Sequence, residues 1–128
     1  MKVDRILETA LYAEDLDAAE EFYTRVLGLE VHSRVAGRHV FFRCGNSMFL
    51  IFNPNTTGQE DSPHGCRGRG HAAWAVARED LDAWQRWLEK EGVKVKEHFW
   101  PSGHRSLYFH DPADNSLELT TAELWGIS

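Results

Sequence analysis

Glu14-Asp15-Leu16-Asp17-Ala18 recurs letter for letter as Glu79-Asp80-Leu81-Asp82-Ala83. Each copy follows a short apolar stretch and opens an amphipathic segment that stops at a glycine, Gly28 in the first and Gly92 in the second. A repeated unit constrains the architecture before any single element is assigned, because both copies bury equivalent faces. In the first copy Leu16, Ala19, Tyr23, Val26 and Leu27 fall at helical spacing. With Asp15 or Asp17 as N-cap, this spacing predicts a helix over 17–27. In the second copy Leu81, Trp84 and Leu88 line one face, while Glu79, Asp82, Arg86, Glu89 and Lys90 lie largely elsewhere, which predicts the counterpart helix.

Working outward, a strand candidate precedes each helix, at 7–13 and 71–77, and three short strand-like stretches follow each. They lie at 30–35, 39–43 and 48–52 in the first copy and at 93–99, 106–110 and 116–121 in the second. The pattern is βαβββ twice, an α+β fold whose two modules would form curved sheets around a cavity. Residues 38–50 can be laid over 105–119 with a two-residue insertion, so that Phe41-Phe42 meets Tyr108-Phe109, Asn46-Ser47 meets Asn115-Ser116 and Phe49 stands opposite Glu118. The expected organisation is a single domain over 1–128, with module 1 at about 5–53, a linker at 54–70 and module 2 at about 71–121. The linker is rich in Asn, Thr, Gly, Pro and charge without apolar periodicity. A stretch of this kind is either a connector or a lid over a site, and His64 within it keeps the second option open. A lone module would expose strand edges, so modules must pair, within one chain or between two. A homodimer is expected, since two-fold assemblies are the commonest.

Composition narrows the function. The chain has 128 residues, 42% hydrophobic and 27% charged, enough for one core without disulfide or metal staples. Its formal net charge of −6 argues against nucleic acid, whose phosphates call for basic patches. Residues 1–11 lack the basic-then-apolar pattern of an export signal, and no apolar run approaches the roughly 20 residues that span a bilayer. A soluble cytoplasmic protein with no membrane partner is therefore expected, and Cys44 and Cys66, in no ligand spacing, are read as free thiols.

The organisation resembles the vicinal oxygen chelate superfamily, which includes glyoxalases, bleomycin resistance proteins and extradiol dioxygenases, over nearly the whole chain. The opening run from Glu8-Thr9-Ala10-Leu11-Tyr12 through Phe22-Tyr23 to Val26-Leu27-Gly28-Leu29 looks like the family's first strand, helix and Leu-Gly turn. Gly70-His71-Ala72-Ala73-Trp74 opens the second module, and Tyr108-Phe109-His110-Asp111-Pro112 through Asn115-Ser116-Leu117-Glu118-Leu119 closes it in the family's manner. The resemblance implies a divalent metal held by Glu8, His71 and Glu118. Imidazole and two carboxylates suit Mn, Fe, Co, Ni or Zn, with Mg a poorer match. Glu8 and His71 begin equivalent strands, so repeat symmetry would bring them together. Strand alternation turns Glu118 to the same side as Ser116 and Thr120, away from Leu117 and Leu119. Two departures from the family pattern stand out: Glu8 replaces a common histidine, and Phe49 falls where four-ligand isomerases carry a carboxylate. A three-ligand site leaves positions for water, oxygen or a chelating substrate.

Around such a site Glu118 and Tyr108 are the candidate catalytic groups, while Arg43, Arg105, His39, His64 and Trp100 are candidates for holding substrate. Arginine offers a bidentate fork to a carboxylate, and tyrosine offers a donor. Surface charge pairing for the arginines, core packing for Tyr108 and solvation or simple satisfaction for the histidines are the plainer alternatives. Two functions follow. One is a metal-dependent enzyme of lyase or dioxygenase type that chelates a small molecule through vicinal oxygens. The other is a metal-free protein that sequesters a planar or cationic small molecule, of antibiotic type, in an aromatic groove. Pairing of Glu8 or Glu118 with Arg43 or Arg105 would favour the second.

Overall fold

The computed structural model describes residues 1–127. The chain divides into two compact units, Met1–Gly70 and His71–Ser128. In the first unit β1 (Glu8–Tyr12), β2 (Glu30–Val35), β3 (His39–Cys44) and β4 (Ser47–Phe52) form one sheet in the order β1-β4-β3-β2. β1 runs parallel to β4 and the other neighbours are antiparallel. The crossover from β1 to β2 is α1 (Leu16–Arg25), which begins one residue before the expected start and ends two before the expected end. Asp15 is its cap: the backbone there is extended and the carboxylate accepts from Ala18 N at 3.0 Å. At the other end Gly28 takes φ +68 and Leu29 N donates to Tyr23 O at 3.0 Å, the left-handed stop that glycine allows. Leu16, Ala19, Phe22, Tyr23 and Val26 of this segment are buried together with Leu11, Val40, Phe42, Phe49 and Ile51 of the sheet. Tyr23 fixes the packing, with its ring 5.6 Å from Phe42 and 4.8 Å from Phe49.

The first part of the stretch read as a linker, up to His64, is ordered against this unit. Asn53 caps a short helix, α2 (Pro54–Thr57), by accepting from Asn55 N at 3.0 Å. Thr57 is fully buried, and its one hydroxyl proton is within reach of both Asn53 O and His64 O. Arg38 grips Glu60 through two hydrogen bonds, 3.0 and 2.9 Å, and the His64 ring lies 4.9 Å from Phe52. Polar composition hid this order because the anchors are side-chain bonds to backbone rather than an apolar stripe.

The second unit repeats the plan with β5 (His71–Ala75), α3 (Leu81–Lys90), β6 (Lys96–Phe99), β7 (Arg105–His110) and β8 (Ser116–Thr120), in the order β5-β8-β7-β6. Its core is Ala72, Leu81, Leu88, Leu107, Phe109, Leu117 and Leu119. β6 is shorter than expected because Val93 N closes the end of α3 on Leu88 O at 2.9 Å. A single 3-10 turn, Arg78–Asp80, precedes α3, and a second, Ala122–Trp125, follows β8. Among the described residues no helix is long and apolar enough to cross a membrane.

The strand registers correct the alignment of the repeats. Glu8 pairs with Met48 as His71 pairs with Ser116, and Ala10 with Leu50 as Ala73 with Glu118. On the antiparallel side Phe41 faces Leu50 as Tyr108 faces Glu118. Leu50, not Phe49, is therefore the counterpart of Glu118, and His39 is the counterpart of Ser106. The error lay in the turns. Gly45 and Asn46 link β3 to β4 where Cys44 pairs with Ser47, whereas Asp111 N bonds Asn115 O around Pro112-Ala113-Asp114. The insertion is one residue rather than two, and it is stabilised by Asp111 Oδ1 accepting from Ala113 N and Asn115 N, with Asp114 at φ 67.

Candidate functional site

In the second unit, alternation along β8 sends Leu117 and Leu119 into the apolar core beneath α3. Glu118 therefore faces the other side of the sheet, yet it is only 6% exposed. A carboxylate so far from water needs hydrogen-bond donors or a cation. Ser106 Oγ donates to Glu118 Oε2 at 2.8 Å, and Trp100 Nε1 donates to Ser106 Oγ at 2.9 Å. Tyr108, opposite Glu118 in the ladder, has its phenol pKa pushed above the ordinary value by burial first and then by the Glu118 charge and hydrogen bond. It is accordingly a protonated donor at neutral pH.

Glu118 Oε1 lies 3.5 Å from His71 Nε2. The other ring nitrogen, Nδ1, is 2.9 Å from Ser116 O. A carbonyl only accepts, so Nδ1 carries the proton, and in the neutral ring Nε2 presents a lone pair. Two acceptor atoms thus face one another across a gap that calls for a cation or a proton between them. Ligands about 2.1 Å from one metal ion stand roughly 3.0–3.5 Å apart, so the pair fits a divalent ion, and a second nitrogen anchored on a carbonyl is the usual support of a ligating imidazole. Among the described residues no group of three or more His, Cys, Asp and Glu side chains is gathered at metal-binding spacing. His71 and Glu118 supply two donors.

The remaining nominated residues fall in different surroundings. Glu8 is exposed at the start of β1, at the register position of His71. Arg43 is exposed on β3 and sits in line with Glu8 through Met48. His39 is buried, stacked on Phe41 at 3.8 Å, with its Nδ1 accepting from Arg38. Burial and then the Arg38 charge hold its pKa below the usual histidine value. His64 donates from Nδ1 to Ser62 O and packs near Phe52. Arg105 does not join Glu118. Its guanidinium reaches Asp82 at 2.6 Å, Gln85 at 2.9 Å and Glu97 at 2.9 Å, binding β7 to α3 and β6, and Asp82 is held below the ordinary carboxylate range by it. A cavity of about 180 Å³ lined by Arg78, Leu81, Phe99, His104, Arg105 and Thr121 lies on that helix side, away from Glu118. Ser106 was not nominated. The signal for it was a hydroxyl two positions before Tyr108 in a strand otherwise built from large side chains.

The family model for the Glyoxalase/Bleomycin resistance protein/Dioxygenase superfamily matches residues 5–119. Among curated proteins none matches the sequence. Among solved structures, lactoylglutathione lyase from Agrobacterium tumefaciens is 41% identical, with a TM-score of 0.95, covering 99% of this chain and 100% of that one. A glyoxalase/bleomycin resistance protein/dioxygenase from Nocardioides is 20% identical, with a TM-score of 0.77 over 94% of this chain and 85% of that one. A genomically encoded fosfomycin resistance protein from Listeria monocytogenes is 22% identical, with a TM-score of 0.74 over 97% and 98%. The last two likenesses speak to the fold alone.

Proposed function

Because the chain belongs to the Glyoxalase/Bleomycin resistance protein/Dioxygenase superfamily, we propose that it is a divalent-metal-dependent lyase acting on a small molecule with two adjacent oxygens. The observation that carries this reading is His71 Nε2 set 3.5 Å from Glu118 Oε1, with Nδ1 anchored on Ser116 O. Glu8, the register counterpart of His71, is the proposed third donor. Leu50 at the counterpart of Glu118 offers no fourth carboxylate, leaving coordination positions for substrate. The ion, when bound, would act as a Lewis acid on the chelated oxygens; Fe, Mn, Ni, Co and Zn suit one imidazole and two carboxylates.

The chain's own residues divide the remaining work. Glu118 is the proposed base or ligand at the reacting centre, and Tyr108, kept protonated, is the donor beside it. Arg43 is the proposed partner for a substrate carboxylate, with His39, His64 and Trp100 shaping the surroundings. Likeness to lactoylglutathione lyase favours lyase over dioxygenase chemistry. It also suggests a 2-hydroxyacyl thioester, since a lactoyl group carries the adjacent hydroxyl and carbonyl oxygens that chelation requires. A cytoplasmic homodimer is the proposed working form.

Elemental analysis of the purified protein beside Glu8→Ala, His71→Ala and Glu118→Ala tests the site, and turnover of lactoylglutathione tests the substrate. One first-row metal per chain, lost with each substitution, together with thioester turnover by the parent, is the expected result. A parent that retains no metal after reconstitution, with variants indistinguishable from it, would overturn the reading in favour of a sequestering protein.

A further inference from the structure

We propose that Ser106 and Trp100 are positioning residues that aim the Glu118 carboxylate at His71; the role rests on the metal-site reading above. Direction along the chain of hydrogen bonds follows from donor chemistry. An indole N–H only donates, so Trp100 Nε1 must give its proton to Ser106 Oγ, 2.9 Å away. The serine hydroxyl has a single proton of its own, which then goes to Glu118 Oε2 at 2.8 Å. Ser106 is 0% exposed, so water does not compete for either bond. With Oε2 committed, Oε1 is the oxygen left facing His71 Nε2.

The indole itself is delivered by a turn. Trp100 N donates to His104 O at 2.8 Å and Gly103 N to Trp100 O at 2.9 Å, closing the loop between β6 and β7, and the His98 ring meets the indole edge-on at 4.5 Å. The other repeat supports the assignment independently. There the counterpart of Glu118 is Leu50 and the counterpart of Ser106 is His39, so where the carboxylate is missing the hydroxyl is missing too.

The test uses Ser106→Ala and Trp100→Phe in the full chain, with Zn2+ and Mn2+ titrated as the probes, and the Trp100 indole N–H resonance followed in chelator-treated protein. Loss of a supporting partner typically costs a ligand site ten- to a hundred-fold in metal affinity. That weakening is expected for Ser106→Ala, with a smaller one for Trp100→Phe. Glu118→Gln in the metal-free protein should shift the indole resonance, a readout that simple packing of Trp100 would not move. Parent-like affinity in Ser106→Ala, or an indole resonance indifferent to Glu118→Gln, overturns the proposal. A parent that binds neither ion defeats the metal reading instead, and the resonance alone then decides whether Ser106 and Trp100 orient Glu118.

Discussion

His39 shows how a single ring can be held in one protonation state by its neighbours. Arg38 is a donor in every bond it makes, so the Nδ1 it touches must be a bare acceptor, and the ring stacked on Phe41 is neutral. Burial, followed by the Arg38 charge, makes protonation harder in the folded chain than in the unfolded one. The unfolded state then binds more protons as pH falls below the ordinary histidine value of about 6.5, and stability drains away from there down through the lower folded pKa. Urea unfolding at a series of pH values should show that slope in the parent and a flatter one in His39→Phe, which keeps the stack and removes the titration. An equally steep slope in the variant would assign the effect to other groups. At this scale the sequence was legible for residue types and less so for directions. His71 and Glu118 were legible through the family resemblance, strand alternation adding only the side that Glu118 takes, and the two do meet. The Trp100, Ser106 and Glu118 chain could not, since a bond between strands depends on register. Arg105 was recognisable as lying on or beside a strand, but its engagement with Asp82, Gln85 and Glu97 depends on which face it takes.

The repeated pentapeptide makes two different helix starts from one sequence. Asp15 is extended and bonds Ala18 N, whereas Asp80 lies in the right-handed region at φ −93, ψ −8 and makes no side-chain cap bond. The cause lies just upstream, where Asp80 N already bonds Ala77 O within the 3-10 turn. Losing an aspartate cap costs about 1 kcal/mol, while exposed side chains outside such features stay within about 0.5 kcal/mol. Asp15→Ala should therefore destabilise the protein by about 1 kcal/mol in urea melts and Asp80→Ala by clearly less; equal losses would mean that Asp80 caps α3 in solution. Periodicity located both main helices, and strand-like composition between turn residues located the eight strands among the described residues to within a few residues, including β6, which is exposed along its length. These signals missed α2 and misplaced the β4 register by one, because both depend on turn geometry: Asn53 capping its own loop, and three residues against two in the links before β8 and β4.

At the scale of the molecule, the two units provide a comparison the protein makes with itself. Equivalent strands carry Leu50 in one and Glu118 in the other, each 6% exposed, so burial is matched and chemistry differs. Leucine there needs no partner. Glutamate needs Ser106, Tyr108 and whatever stands between it and His71, and a group of that kind is retained against stability when it serves a site. Removing a buried carboxylate lifts a desolvation cost of roughly several kcal/mol, and this outweighs the about 1–3 kcal/mol for leaving the Ser106 hydroxyl proton without its acceptor, while Ser106 keeps Trp100 as its donor. In chelator-treated protein Glu118→Leu should accordingly match or exceed the parent in thermal unfolding temperature. Leu50→Glu, placing a carboxylate beside Phe41 and the neutral His39 instead of beside Tyr108 and Ser106, should lower it by several degrees. On the metal-site reading proposed above, added divalent ion should reverse the ranking at position 118, because binding to the folded state stabilises only a chain that has the site. Were Glu118→Leu to melt well below the metal-free parent, the carboxylate would be a structural member of the second unit, and the energetic argument for a site at that position would fail.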